Sequence, residues 1–102
     1  MSSRYRMADG MVVDTDNAVE SWAEACEFDG SNQISRVTGS QFEHQMLHQT
    51  RRGRYWLESW SQWEGRQPHA EWVDNHEAAR WLLMCDHELP DDLAELADEV
   101  ME

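Results

Sequence analysis

The sequence predicts an α+β fold: an antiparallel sheet of three or four strands, packed by a C-terminal helix and followed by a short acidic helix. Three observations carry this reading. Residues 42–63 alternate with period two around a glycine-containing break. Ala78, Trp81, Leu82 and Cys85 recur at i, i+3, i+4 and i+7, one face of a helix. A length of 102 residues suits one core, with six tryptophans to fill it. The expected organisation is a flexible N-terminal arm over residues 1–16, then a single α+β domain over 17–102.

The arm is expected because Met1 to Gly10 show no period and Met11-Val12-Val13 is too short to stand alone. Asp14-Thr15-Asp16-Asn17 groups cap and turn formers. Val19, Trp22, Ala23 and Cys26 then fall on one helical face, and the period favours a helix there. A strand with Trp22, Cys26 and Phe28 alternating competes with it, supported by the hairpin signal Asp29-Gly30. Residues 29–40 are polar, with Ile34 and Val37 leaving room for one short strand.

The long hairpin comes next. Phe42, His44, Met46 and His48 alternate with Glu43, Gln45, Leu47 and Gln49. Arg51-Arg52-Gly53 breaks the run, and a glycine suits the left-handed position of a short loop. Beyond it, Tyr55, Leu57, Ser59, Ser61 and Trp63 share one face of a central strand, with Trp56, Glu58, Trp60 and Gln62 on the other. One face must meet the helices. The Trp56 and Trp60 face is expected to pack inside, covered by the N-terminal element; left open, it would be a contact surface. After a turn at Gly65–His69, Ala70–Val73 forms a third strand centred on Trp72. Asp74 and Glu77 stand at capping-box spacing before a helix over 75–86. Pro90 opens a second helix with Leu93, Leu96, Ala97 and Val100 as its apolar stripe.

Composition narrows the partner. Twenty-one acids oppose eight bases, giving a net charge of -13. A field of that sign repels nucleic acid and anionic membrane and favours a basic protein. Cys26 and Cys85 belong to no paired motif and are expected to be reduced, mostly buried thiols. No secretory core is present, and no run nears the roughly 18 apolar residues of a membrane span, so the expected location is cytoplasmic.

The chemistry-bearing motifs are few. There is no phosphate-cradling glycine loop, Gly-x-Ser-x-Gly elbow, His-Glu-x-x-His or Cys-x-x-Cys. On a strand, His44 and His48 lie roughly 13 Å apart, too far to share an ion. His69 and His76 read as turn and cap residues. The expectation is therefore no catalytic residue, no cofactor, no metal and no enzyme. Arg51, Arg52 and Arg54, with Arg66, form the basic cluster; with Tyr55, Trp56 and Trp60 it offers single strands phosphate contacts and stacking. Against this, the same arginines suit the acidic tail, within the monomer or across a homodimer.

That tail is the other candidate surface. Asp91, Asp92, Glu95, Asp98, Glu99 and Glu102 would place, on a continuous helix, one carboxylate per roughly 3 Å. One DNA strand carries a charge every roughly 3.4 Å of axis. The density suits a nucleic-acid mimic that docks on a basic groove.

The runs Gly53-Arg54-Tyr55-Trp56, Ser61-Gln62-Trp63-Glu64-Gly65, Glu77-Ala78-Ala79-Arg80-Trp81-Leu82 and Glu88-Leu89-Pro90 resemble a family of small uncharacterised bacterial proteins. Asp29-Gly30-Ser31-Asn32 and Thr38-Gly39-Ser40-Gln41 add to the likeness, which covers roughly residues 20–93. Such proteins are common in genomes with plasmids and phages. The resemblance implies a mobile-element accessory protein and brings no catalytic residues with it. Together these readings lead to a non-enzymatic acidic module that regulates or inhibits a nucleic-acid-handling protein, with the arginine hairpin as the competing nucleic-acid site.

Overall fold

Alternation around a tight turn builds the centre of the molecule. The computed structural model describes residues 4–28, 30, 33–35, 43–61 and 67–100. In chain order it comprises β1 (Arg4–Arg6), β2 (Val12–Asp14), a 3-10 turn at Thr15–Asn17, β3 (Glu20–Ala23), β4 (Cys26–Phe28) and β5 (Gln33–Ser35). There follow β6 (Glu43–Gln49), β7 (Tyr55–Ser61), β8 (His69–Val73), α1 (Asn75–Met84), a 3-10 turn at Ala94–Leu96 and α2 (Ala97–Val100). The architecture is α+β, as the sequence predicts. β3, β6, β7 and β8 form one antiparallel sheet in that order, and β1–β2 and β4–β5 are separate two-stranded hairpins.

The β6–β7 pairing runs from Glu43 opposite Ser61 to Gln49 opposite Tyr55. Gly53 closes the turn at φ +87°, where a side chain would be strained, and the Thr50 hydroxyl accepts from the Arg54 N–H at 3.2 Å. Because side chains alternate, the sheet has two different faces. Leu47, Tyr55 and Leu57 meet Ala78, Trp81, Leu82 and Leu93 in the main core under α1. Trp56 points the other way and packs with Met7 and Val13 of the N-terminal hairpin.

α1 starts where Asp74 accepts from the Glu77 N–H at 2.8 Å, the cap that the spacing predicts. It ends at Met84 rather than residue 86. Asp86 takes φ 60°, the His87 N–H bonds the Leu82 carbonyl and the Asp86 N–H bonds the Leu83 carbonyl. This is a Schellman ending, which closes the helix two residues early.

Four expectations change. Residues 4–14, placed in a flexible arm, form the β1–β2 hairpin with Met7 3% and Val13 6% exposed. A three-residue strand shows no period of its own, and it folds because Trp56 offers it an apolar seat. The helix expected over Val19–Cys26 is instead β3 and the start of β4. Trp22 and Ala25 pack against the main core there, and the helical spacing was the sum of two short strands. Cys26 is exposed, whereas Cys85 is buried as expected. The acidic tail is broken by a turn and a 3-10 segment before α2, so no continuous helix sets the carboxylate spacing. Phe42, Trp63, Arg66 and Glu102, with the turn residues Asp29 and Gly65, lie outside the described residues.

Candidate functional site

Acids are densest in the C-terminal part of the chain. α1 and the segment after it cover one face, and residues 74–99 carry nine acids against a single base, Arg80. On the opposite face, Arg4, Arg51, Arg52 and Arg54 converge on a cleft of about 670 Å³ between the N-terminal hairpin and the β6–β7 turn.

Each predicted acidic residue has a definite place. Asp91 and Glu95 are exposed and make no ion pair among the described residues. Asp92 is also exposed, but it is fixed: the Tyr55 hydroxyl donates to both its oxygens at 2.9 and 3.0 Å, and Gln49 Nε2 donates at 3.0 Å. Burial, and then the Asp92 carboxylate, raise the Tyr55 hydroxyl above its ordinary pKa. Glu99 pairs with His76 Nε2 at 3.2 Å and so ties α2 to the first turn of α1. Asp98 lies in α2, and its side chain is outside the described part of the molecule. The tail is therefore held to the sheet and to α1 at two points.

The predicted hairpin site divides. Trp56 is 1% exposed, shut between the N-terminal hairpin and His48, so it offers no face to a base. Trp60 is half-buried beside His44, at the far end of β7 from Arg54, roughly 20 Å along the strand. The arginines and Trp60 cannot form one site. The aromatic partner of Arg54 is instead Trp72 of β8, which lines the same cleft. The Arg54 guanidinium carbon sits 3.6 Å above its ring, while Arg54 Nη1 pairs with Asp9 at 3.2 Å. Arg4 pairs with Asp14 at 3.0 Å. The Met11 N–H most of all, then Trp72 and Arg54, hold the Asp9 carboxyl below its ordinary pKa; the Asp16 N–H, and then Arg4, do the same for Asp14. Arg51 and Arg52 are exposed and have no partner among the described residues. Among the described residues the tip thus pairs through Arg54 with the N-terminal hairpin.

A polar chain crosses the middle of the sheet. Ser21 lies 2.7 Å from His48 Nδ1, and His48 Nε2 lies 3.0 Å from Glu58, which also accepts from the Tyr5 hydroxyl. With Glu58 as the partner of Nε2, Nδ1 is left to bond the Ser21 hydroxyl. His48 is 2% exposed and stacks on Trp56 at 4.3 Å. The order of groups is that of a serine–histidine–acid set, but the serine stands on an edge strand outside the described clefts. Its part is to tie β1, β3, β6 and β7 together. His44 pairs separately with Glu24, whose other oxygen accepts from the Gln45 N–H at 2.9 Å. The two histidines therefore serve different partners. Among the described residues, no group of three His, Cys, Asp or Glu is placed to hold a metal ion. No described helix is long and apolar enough to cross a membrane.

The fold and this charge distribution define a small α+β protein with an acidic helical face and an arginine-lined cleft behind it. No family model, curated protein or solved structure matches the chain.

Proposed function

We propose that the protein is a non-enzymatic acidic binding module that docks its helical face on a basic surface of a nucleic-acid-handling protein, which it inhibits or regulates. The observation that carries this reading is the concentration of acids in the C-terminal part: nine acids and one base over residues 74–99, which hold α1 and the segment after it. The spacing of carboxylates on a continuous helix no longer supports mimicry in detail. The anchoring of Asp92 and Glu99 supports it differently, because a tethered acidic surface loses less entropy on docking than a free tail. The likeness to plasmid- and phage-associated proteins supports a role as a mobile-element accessory factor, acting in the cytoplasm beside such a partner.

The test is capture from nuclease-treated host lysate, washed at low and then high salt. A basic nucleic-acid-handling protein, released by salt or by added DNA, is the expected result. Asp91→Asn with Glu95→Gln should weaken its capture without unfolding the bait, since neither side chain holds the fold. Capture that is indifferent to salt and to these substitutions would remove the electrostatic basis of the proposal.

A further inference from the structure

We propose that the cleft between the N-terminal hairpin and the β6–β7 turn binds a mononucleotide, its base stacked on Arg54 and its phosphate held by Arg51 and Arg52. A volume of about 670 Å³ lies within the range of small-molecule sites, roughly 300–1,000 Å³. Four guanidiniums line it, and Asp9 and Asp14 line it too; four positive charges less two negative ones leave a local balance of two positive charges. In a chain of net charge -13 that local reversal is the distinguishing feature of the site.

The geometry of Arg54 supplies the stacking surface. Trp72 covers one face of the guanidinium, and Asp9 takes its edge through Nη1. The side chain is still 49% exposed, which leaves guanidinium surface for a second partner. Guanidinium planes stack with bases as readily as with aromatic side chains. Met11 and Val12, 45% and 57% exposed, line the same cleft and give an apolar body something to lie against. Arg51 and Arg52, which make no ion pair among the described residues, are the two donors free for a phosphate.

Charge decides between a monomer and a polymer. A long nucleic acid must pass along the acids of the rest of the surface and is repelled by them, whereas a mononucleotide meets only the local field. This inference uses the face opposite the one proposed to dock on protein, so the two stand or fall separately.

Titration of the whole protein with ADP, adenosine, inorganic phosphate and a short thymidine oligonucleotide tests it, read by calorimetry and by tryptophan emission. ADP should bind saturably, and adenosine or inorganic phosphate more weakly by about tenfold or more, since each lacks one of the two contacts. Arg51→Ala with Arg52→Ala should lower ADP affinity by about tenfold or more with an unchanged melting temperature. Arg54→Lys keeps the charge and loses the plane, and should weaken ADP while leaving inorganic phosphate unchanged. Absence of saturable ADP binding, or equal ADP affinity in the double variant, would overturn the assignment. So would oligonucleotide affinity far above that of ADP, which would mark a site for polymer.

Discussion

Tyr55 shows how a single residue can be read from both sides of the fold. Its ring belongs to the main core, 1% exposed, and its hydroxyl ends on the carboxylate of Asp92. Phenylalanine would keep the packing and lose the bond. We expect Tyr55→Phe to cost about 1.5 kcal/mol at neutral pH, the low end for a bond to a charged group, because Asp92 stays within reach of water. The pH dependence has a definite sign. The folded-state pKa is raised above the ordinary 10.0, so the contribution is whole below pH 10 and is lost as pH rises further, when the unfolded chain ionises first. Urea denaturation from neutral pH to about pH 11 should show this decline in the wild type and a flatter curve in the variant. An equally steep decline in both would assign it elsewhere.

At the scale of elements, the N-terminal hairpin is the part whose attachment depends on conditions. Its seat is apolar, Met7 and Val13 on Trp56, and its edges are the pairs of Arg54 with Asp9 and Arg4 with Asp14. Both aspartates have folded-state pKa values below the ordinary 3.8. Their contribution is therefore present above that value and lost as pH falls through the folded values. Acidification from about pH 5 to about pH 3 should loosen the hairpin, open Trp56 to water and shift tryptophan emission to the red. Asp9→Asn with Asp14→Asn should reduce the amplitude of that shift; an unaltered amplitude would mean that the carboxylates do not hold the hairpin. This element is also where sequence patterning is least informative. β6, β7 and α1 were legible because seven to ten residues repeat one period and Asp74 marks a boundary. β1 and β2 have three residues each, too few to show alternation. In Val19–Cys26, the break at Glu24 and Ala25 between β3 and β4 reset the alternation, so Trp22 and Cys26 fell into helical register by coincidence. The arginine cluster was visible as a run, but its partner Trp72 comes from β8 and could be found only through strand order.

For the molecule as a whole, like charge outweighs the pairs that relieve it. Exposed ion pairs such as Arg4 with Asp14 contribute little, while thirteen surplus negative charges repel throughout the surface. Screening should therefore help more than it harms. We expect the melting temperature to rise by several degrees between about 10 mM and about 0.5 M sodium chloride, since about 1 kcal/mol corresponds to roughly 4–8 °C at this size. Calorimetry would show it, and a fall instead would mean that the arginine pairs dominate.

The buried imidazole of His48 has one more consequence, for how the chain selects its pairing. Ser21 stands opposite His48 in the ladder, and Glu58 meets the ring from the neighbouring strand. Sliding β3 by two residues would preserve the inside–outside pattern but bring Val19 or Ala23 opposite the ring. Neither side chain can donate to Nδ1. The slipped arrangement would enclose an orphaned nitrogen, at a cost of about 1–3 kcal/mol. Apolar neighbours alone would tolerate that slip, so the ring acts as a key that admits one alignment of an edge strand only four residues long.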